Sequence, residues 1–272
     1  MHHTLEAQAL DGALVADLYD NHVADTYDLD AFGLLAGGRA VAARQLRQAL
    51  AGTTQFPANA RVVDLAVGTG ASLADLSGVL PQAEFVGIDI SPKMLEIAAQ
   101  KHPFIRTVLD DAANVERHFS AGTIDLALMH FLTTYINAAD VIASLARSLK
   151  PGAYLSIAST TYESFRVIHA AASTILPPDV IKAMNPAPVD GDSLAALLES
   201  AGLEVVANER FEKDITFATL PDLMQWGMQS GFFTHILSKL STVNLDAFAP
   251  MAARFPVTDR YCSSILLARK PA

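Results

Sequence analysis

The stretch RVVDLAVGTGASL, residues 61–73, carries an apolar run past Asp64 and then through two glycines. Gly68 and Gly70 lack side chains, so the chain can turn tightly there and come close to a ligand. Backbone N–H groups at the start of a following helix would favour an anion. The next apolar run, FVGID, ends on Asp89, where a carboxylate can accept hydrogen bonds from both hydroxyls of a ribose. The joint pattern predicts a nucleoside-containing ligand, although either acid alone could simply cap a helix.

The residues that are missing narrow the choice of nucleoside. A dinucleotide fingerprint would read G-x-G-x-x-G, but Leu73 stands three positions beyond Gly70, where the last glycine is needed. The loop G-x-x-x-x-G-K-[ST], which holds nucleoside triphosphates, is also absent from the sequence. The bend therefore indicates a nucleoside that carries no pyrophosphate.

These residues resemble the class I S-adenosylmethionine-dependent methyltransferases. The first motif of that family is an acid followed by alternating glycines; here it reads Asp64, Ala66, Gly68 and Gly70, with alanine in place of the first glycine. By this resemblance Gly68 and Gly70 would approach the methionine part of the cofactor. Asp64 would organise the loop, and Asp89 would hold the ribose hydroxyls.

Two later segments follow in the order that the family shows. VLDDAANV resembles the segment whose aspartate contacts the adenine amino group; Asp111 with Ala112 fits best, and Asp110 is the rival. LKPGAYLSIAS, residues 149–159, resembles the segment that enters the fifth strand, with Ala153 replacing its usual second glycine.

The N-terminal stretch YDNHVADTYD resembles, more loosely, the tyrosine-containing helix that many small-molecule methyltransferases fold over the cofactor. Tyr19 and Tyr27 are the candidates, and each could equally be a half-buried packing residue. The resemblance implies S-adenosylmethionine as the cofactor and S-adenosylhomocysteine as its product. The residues expected to bind the cofactor are Tyr19, Tyr27, Asp64, Ala66, Gly68, Gly70, Asp89, Ile90, Asp111, Ala112 and Met129.

Methyl transfer from a sulfonium requires an acceptor atom in line with the departing sulfur, so orientation and exclusion of water can provide much of the catalysis. The run IDLALMHFLTTYI should end at the donor methyl, which places Met129, His130 and Phe131 at the boundary between cofactor and acceptor. His130 is the candidate general base, since a histidine can take a proton near neutral pH. The alternative is a buried histidine held by its neighbours. Tyr135 could orient the acceptor.

An aromatic group near the C-terminus could line the acceptor pocket. Trp226, Phe232 and Phe233 are suited to this because small-molecule sites are largely apolar, but they could equally form the core of a helical cap. His169 and His235 lie in the same kind of additional segment and are weaker candidates for a base, because neither has a partner at informative spacing.

The elements that must position these residues alternate between short apolar runs and helical patterns, which is typical of a parallel sheet with crossover helices. We expect a doubly wound, Rossmann-like α/β methyltransferase fold with seven mostly parallel strands. Its parts would be an N-terminal helical cap over residues 1–50 and a methyltransferase domain over 51–272, with helical insertions near 162–192 and 212–260. The expected strands are 61–66, 84–89, 104–109, 123–129, 152–159, 203–211 and 261–269.

The composition of the 272 residues limits the partners. A net charge of −10 without a basic cluster disfavours nucleic acid. The single cysteine, Cys262, is expected to be a buried apolar residue, and no metal-binding motif is present. No apolar run is long enough for a membrane span and the start carries no basic residues, so we expect a cytoplasmic protein.

The sequence therefore predicts an enzyme that methylates an oxygen, nitrogen or carbon atom of a small, partly apolar acceptor, with secondary metabolism as its setting. A homodimer is possible, since either aromatic addition could bury a contact between subunits. The alternatives are a protein that binds S-adenosylmethionine without transferring its methyl group, used for regulation or for a reaction such as cyclisation, and a nicotinamide-dependent oxidoreductase, which Leu73 disfavours.

Overall fold

The computed structural model describes residues 10–51, 57–184, 188, 190–234 and 248–272. Its strands are β1 Arg61–Leu65, β2 Glu84–Asp89, β3 Ile105–Leu109, β4 Ile124–His130, β5 Leu149–Thr160, β6 Glu204–Phe217 and β7 Val257–Arg269. They form a seven-stranded sheet in the order β3-β2-β1-β4-β5-β7-β6. β7 runs antiparallel to both of its neighbours, and the other pairs are parallel. The predicted doubly wound, mostly parallel sheet is confirmed.

The strand order reverses at β1, which pairs with β2 on one side and with β4 on the other. The chain winds outward from this position in both directions, so the loops that leave β1 and β4 diverge. A crevice opens where they part, at the carboxyl ends of the two strands. The glycine bend follows β1 and His130 ends β4, so both lie at this crevice.

Helices cover both faces of the sheet. Their bounds are α1 Gly12–Leu18, α2 Leu34–Ala51, α3 Ala71–Ser77, α4 Pro92–Lys101, α5 Val115–His118, α6 Ala138–Ser148, α7 Arg166–Ala172, α8 Pro178–Ala183, α9 Gly191–Ser200, α10 Leu220–Gln229 and α11 Ala249–Ala252. Helix α4 begins as the sequence predicts, because the Ser91 side chain caps the Met94 N–H and Pro92 occupies the first turn. Alternate residues of β1 join opposite layers: Val63 and Leu65 pack with α6 and α9, and Val62 packs with α3.

The last two strands are longer than predicted. Residues 212–217 and 257–260, expected to lie in an insertion, continue the β6–β7 hairpin as far as the pair Phe217 and Val257. Charged side chains had hidden this part of the strand pattern, since Arg260 pairs with Asp214 at 2.7 Å and with Glu212 at 3.7 Å on the exposed side. The insertion is therefore shorter, and Thr219 caps α10 through a capping box.

The two additions pack together beyond the sheet. An aromatic cluster joins α7 and α10 to the far end of the β6–β7 hairpin, and the rings of Trp226 and Phe232 lie 4.8 Å apart within it. In the part of the chain that the structure describes, no helix has the length and apolar character needed to cross a membrane.

Candidate functional site

Two cavities open at the carboxyl ends of β1, β2, β4 and β5. The glycine-bend cavity, named for its lining by Ala66 and Gly68, has a volume of about 740 Å³ including its mouth. The aromatic cavity, named for its lining by Phe165, Trp226 and Phe232, has about 920 Å³ including its mouth. Both volumes lie in the range of small-molecule sites. The predicted residues that line the glycine-bend cavity are Tyr19, Tyr27, Ala66, Gly68, Asp89, Ile90, Asp111, Ala112, His130, Phe131 and Tyr135.

The bend after β1 is built on left-handed backbone. Ala66 has φ 60° and Gly68 has φ 53°, and both line the glycine-bend cavity. The Gly68 N–H donates to Asp89 Oδ2 at 2.8 Å, and the Ser91 N–H donates to Asp89 Oδ1 at 2.9 Å. Burial raises the pKa of Asp89, while these two N–H donors act in the opposite direction. Asp89 thus holds the bend against the start of α4, and its oxygens keep lone pairs for further donors.

Gly70 and Asp64 lie outside the lining of this cavity. The Gly70 N–H donates to Val67 O at 2.9 Å, and a Cβ on Gly70 would stand 2.8 Å from His102 and 2.9 Å from Ile105. Gly70 therefore serves the tight turn and the packing of α3, rather than approaching a ligand as the resemblance implied. Asp64 is buried in β1, and burial together with the nearby Asp89 raises its pKa well above the usual range.

At the end of β3 the side chains of two neighbouring aspartates point in different directions. Asp111 lines the cavity and accepts the N–H of Ala113 at 2.8 Å, which caps the short helical turn that follows. Asp110 turns away and accepts bonds from Asn114 at 2.7 Å and from His118 at 2.7 Å. These bonds lower the pKa of Asp110 to about 2. The geometry therefore favours Asp111 over Asp110 as the residue that would contact an adenine ring.

The N-terminal segment closes the glycine-bend cavity. Asp20 accepts bonds from the Ser91 hydroxyl and from the Lys93 N–H, and Asp28 accepts a bond from the Thr69 hydroxyl at 2.7 Å. The first two contacts tie the helical turn Tyr19–Val23 to the start of α4, and the third ties the turn Tyr27–Leu29 to the bend after β1. This places the rings of Tyr19 and Tyr27 on the cavity.

The end of β4 brings two of its three predicted boundary residues, His130 and Phe131, to the cavities. Met129 is fully buried in the core and does not line either cavity, which contradicts its expected place at the cofactor boundary. Side chains along a strand alternate between faces, so Met129 faces the core while its neighbour His130 faces the glycine-bend cavity. Phe131 follows with φ 59°, and its N–H donates to Ala158 O at 2.7 Å.

His130 is tied at both ring nitrogens. Nδ1 lies 3.0 Å from the Ser72 hydroxyl, and Nε2 lies 3.0 Å from the Ser156 hydroxyl. Burial, and secondarily the positive charge of Arg39, lower the pKa of His130 to about 3. A ring with so low a pKa takes up a proton weakly, and both of its nitrogens already have hydroxyl partners, so His130 is a poor general base. We therefore interpret His130 as a residue that shapes the cavity and fixes the end of β4.

The two cavities share a wall. Tyr19, Tyr27, Phe131 and Tyr135 line both of them. The Tyr19 hydroxyl donates to the Tyr135 hydroxyl at 3.1 Å, and Tyr135 Oη lies 3.1 Å from the carbonyl oxygen of Gly231. Burial raises the pKa of all three tyrosines, so their hydroxyls remain protonated and act as hydrogen-bond donors.

The aromatic cavity gathers the predicted acceptor residues. Trp226, Phe232 and Phe233 line it, and Trp226 and Phe232 also belong to the aromatic cluster, so both interpretations of this group apply. His169 lies in the wall, whereas His235 lies outside the described residues. Across the described residues, no group of three or more His, Cys, Asp or Glu side chains is placed to hold a metal ion.

Sequence reasoning missed several residues of both cavities. Gly12 lines the glycine-bend cavity, and a Cβ there would stand 2.7 Å from Ile90. Phe165 and Thr161 line the aromatic cavity. A glycine next to the N-cap of α1 offered a faint signal. Phe165 lies in a segment read only as an insertion and Thr161 just before it, and the positions of both depend on contacts distant in the sequence, with Cys262 and Arg260.

Comparison with known proteins identifies the family. A family model described as a methyltransferase domain matches residues 62–152. Demethylmenaquinone methyltransferase from Corynebacterium kroppenstedtii is 31% identical over 165 residues, which span 54% of this chain and 69% of that protein. The chain belongs to the class I S-adenosylmethionine-dependent methyltransferases. The predicted family is confirmed, and with it S-adenosylmethionine as the cofactor that its members use.

Other related proteins show how much of the chain the similarity covers. Demethylmenaquinone methyltransferase from Chlorobaculum tepidum is 31% identical over 145 residues, but the match spans only 51% of this methyltransferase chain and 56% of the relative. The crystal structure of the [4+2]-cyclase SpnF shares the fold, with a TM-score of 0.53, 17% identity, and coverage of 85% of this chain and 81% of that one. The fold by itself therefore does not decide the reaction.

Proposed function

We propose that this chain transfers a methyl group from S-adenosylmethionine to a small, partly apolar acceptor. The observation that carries the proposal is the shared wall: two cavities meet at Tyr19, Tyr27, Phe131 and Tyr135, and one of them contains the family's glycine bend. A donor on one side of this wall and an acceptor on the other would place the two reactants next to each other.

The residues of the glycine-bend cavity fit the donor. Asp89 has carboxylate oxygens available for the ribose hydroxyls, and Gly68 leaves the bend open, since a Cβ there would meet only Tyr27 at 3.7 Å. Ile90 and Asp111 would lie beside the adenine, with an apolar surface and a hydrogen-bond acceptor for its amino group. When bound, S-adenosylmethionine supplies a sulfonium methyl group, and the electrons of the broken C–S bond remain on sulfur.

The chain's own contribution to the reaction is mainly position and exclusion of water. The described residues of the shared wall include three protonated tyrosines and one phenylalanine, none of which acts as a base at neutral pH. Holding two reactants in line can contribute about 7–11 kcal/mol to catalysis. An acceptor that loses a proton on methylation would release it to water or to a residue outside this wall.

The finer features of the proposal concern the acceptor and the setting. A partly apolar acceptor, attacked at oxygen, nitrogen or carbon, agrees with the relatives named for their action on demethylmenaquinone. The net charge of −10 favours such a molecule over a nucleic acid. We place the enzyme in the cytoplasm and in secondary metabolism, with a homodimer as its possible assembly.

Isothermal titration of the full chain with S-adenosylmethionine and S-adenosylhomocysteine, with NAD as control, tests the donor site. We expect micromolar binding of the first two and none of NAD. Acceptors are then screened by mass for a gain of one methyl group. Absence of donor binding in a folded sample that carries no co-purified ligand would refute the proposal. A bound donor without any methylated product would favour the cyclase-like or regulatory alternative.

A further inference from the structure

The wall of the aromatic cavity is uncharged. Its described residues are aromatic, aliphatic or hydroxyl-bearing, together with His169, and they include no lysine, arginine, aspartate or glutamate. A charged ligand group would lose its hydration there without gaining a partner of opposite charge, which is costly. The cavity therefore selects for a ligand that is neutral where it contacts these residues.

Two polar atoms in this wall have no partner. Thr161 is 1% exposed, and its Oγ1 makes no hydrogen bond; Nε2 of His169 is also buried and unpaired. Other hydroxyls of the same wall are satisfied: Thr160 Oγ1 lies 3.2 Å from the Tyr261 hydroxyl, and Ser164 Oγ donates to Cys262 O at 2.6 Å. Buried polar groups are rarely left unpaired in folded proteins, so these two atoms call for a partner supplied by a ligand.

The backbone brings the two residues to the same wall. Thr161 follows β5, and its N–H donates to Cys262 O at 3.2 Å. Phe165 then reverses the chain with φ 56° and starts α7, where the His169 N–H donates to Phe165 O at 2.8 Å. The ring of His169 packs edge-on against Tyr162 with centroids 5.5 Å apart, which fixes its orientation.

We propose that Thr161 and His169 form a polar subsite for a neutral oxygen substituent, a hydroxyl or carbonyl group, on an otherwise aromatic acceptor. A hydroxyl satisfies either residue, because threonine can donate or accept and a hydroxyl can pair with Nε2 of the imidazole whether that nitrogen donates or accepts. The aromatic rings around the subsite bind the apolar body of the ligand. The proposal rests on the proposed function, since the aromatic cavity receives an acceptor only if the neighbouring cavity holds the donor.

Three ligands of one shape test the chemistry of the subsite: para-phenylphenol, biphenyl and biphenyl carboxylate. Each is titrated calorimetrically into the full chain saturated with S-adenosylhomocysteine. Trp226 is the only tryptophan and lies in the cavity wall, so a change in its fluorescence shows that the ligand has entered this cavity. We expect para-phenylphenol to bind at least about tenfold more tightly than the carboxylate. Equal or tighter binding of the carboxylate would overturn the proposal.

Two substitutions test the residues themselves. Thr161→Val and His169→Phe retain shape and remove the polar atoms, so each should weaken para-phenylphenol binding about fivefold and leave biphenyl binding unchanged. Thr174→Val is the matched control, because its hydroxyl donates to Ala171 O on the exposed side of the same segment. Equal losses for both ligands would show that the two residues only support the packing, and would refute the subsite.

Failure of this inference can be distinguished from failure of the proposed function. Binding of S-adenosylhomocysteine and methylation of any acceptor are measured without the biphenyl ligands. If they succeed while the ligand preferences fail, the subsite is wrong and the methyltransferase assignment stands. If S-adenosylhomocysteine does not bind, the proposed function falls, whatever the aromatic cavity prefers.

Discussion

Replacing Ala66 by glycine should cost much less stability than the same change elsewhere in the protein. Ala66 stands where the family motif usually has glycine, and its φ of 60° is left-handed. That conformation costs an L-residue about 1–2 kcal/mol, and glycine avoids the cost. An alanine-to-glycine change also frees the unfolded chain by about 0.5–1 kcal/mol and removes a partly buried methyl group. For Ala66→Gly these effects nearly cancel.

Ala201 provides the matched comparison. It is also partly buried against the same hydrophobic core, but its φ is −84°, which any residue adopts without strain. Ala201→Gly should therefore show the full loss, and the two variants should differ in unfolding free energy by about 1–2 kcal/mol. Urea unfolding followed by tryptophan fluorescence measures both values, with equal m-values as the check that they are comparable. Equal destabilisation would show that Ala66 is not strained.

Three further predictions concern the site. Asp89→Ala should weaken S-adenosylhomocysteine binding by about 1–3 kcal/mol in calorimetry, and unchanged affinity in a folded variant would remove Asp89 from the site. The pKa of His130, about 3, lies below its ordinary 6.5, so the unfolded chain binds a proton that the folded chain refuses. The contribution of His130 to stability should therefore be complete above pH 6.5 and fall by about 1.4 kcal/mol per pH unit between pH 6.5 and about 3, and urea midpoints of His130→Gln should lack this slope. Tyr135→Phe should raise the KM for S-adenosylmethionine about fivefold by removing a hydroxyl of the shared wall; a loss in kcat alone would contradict that role.

The sheet was predictable where strands are short and apolar, and less so elsewhere. The bend after β1 could be located because glycines and an acid mark it directly. Met129 was misplaced because the run LALM, residues 126–129, is apolar at every position, and a strand buried on both faces shows no alternation from which its facing could be read. The extension of β6 to Phe217 was missed because paired charges on its exposed side resemble a loop. The place of His169 depends on the turn at Phe165, which is held by a tertiary contact, because the Phe165 N–H donates to Arg260 O at 2.7 Å.

Most of the non-glycine residues with left-handed backbone conformation in the described part of the chain lie at the two cavities. Ala66, Phe131 and Phe165 follow β1, β4 and β5, and each lines a cavity. No local preference of alanine or phenylalanine favours this backbone, so the sheet and the packed helices must impose it. At Phe131 the support is visible, because a Cβ on Gly38 of α2 would stand 2.9 Å from the ring. The shape of the wall between the two cavities thus depends on α2 and the sheet, so substitutions far from either cavity are expected to alter which ligand fits.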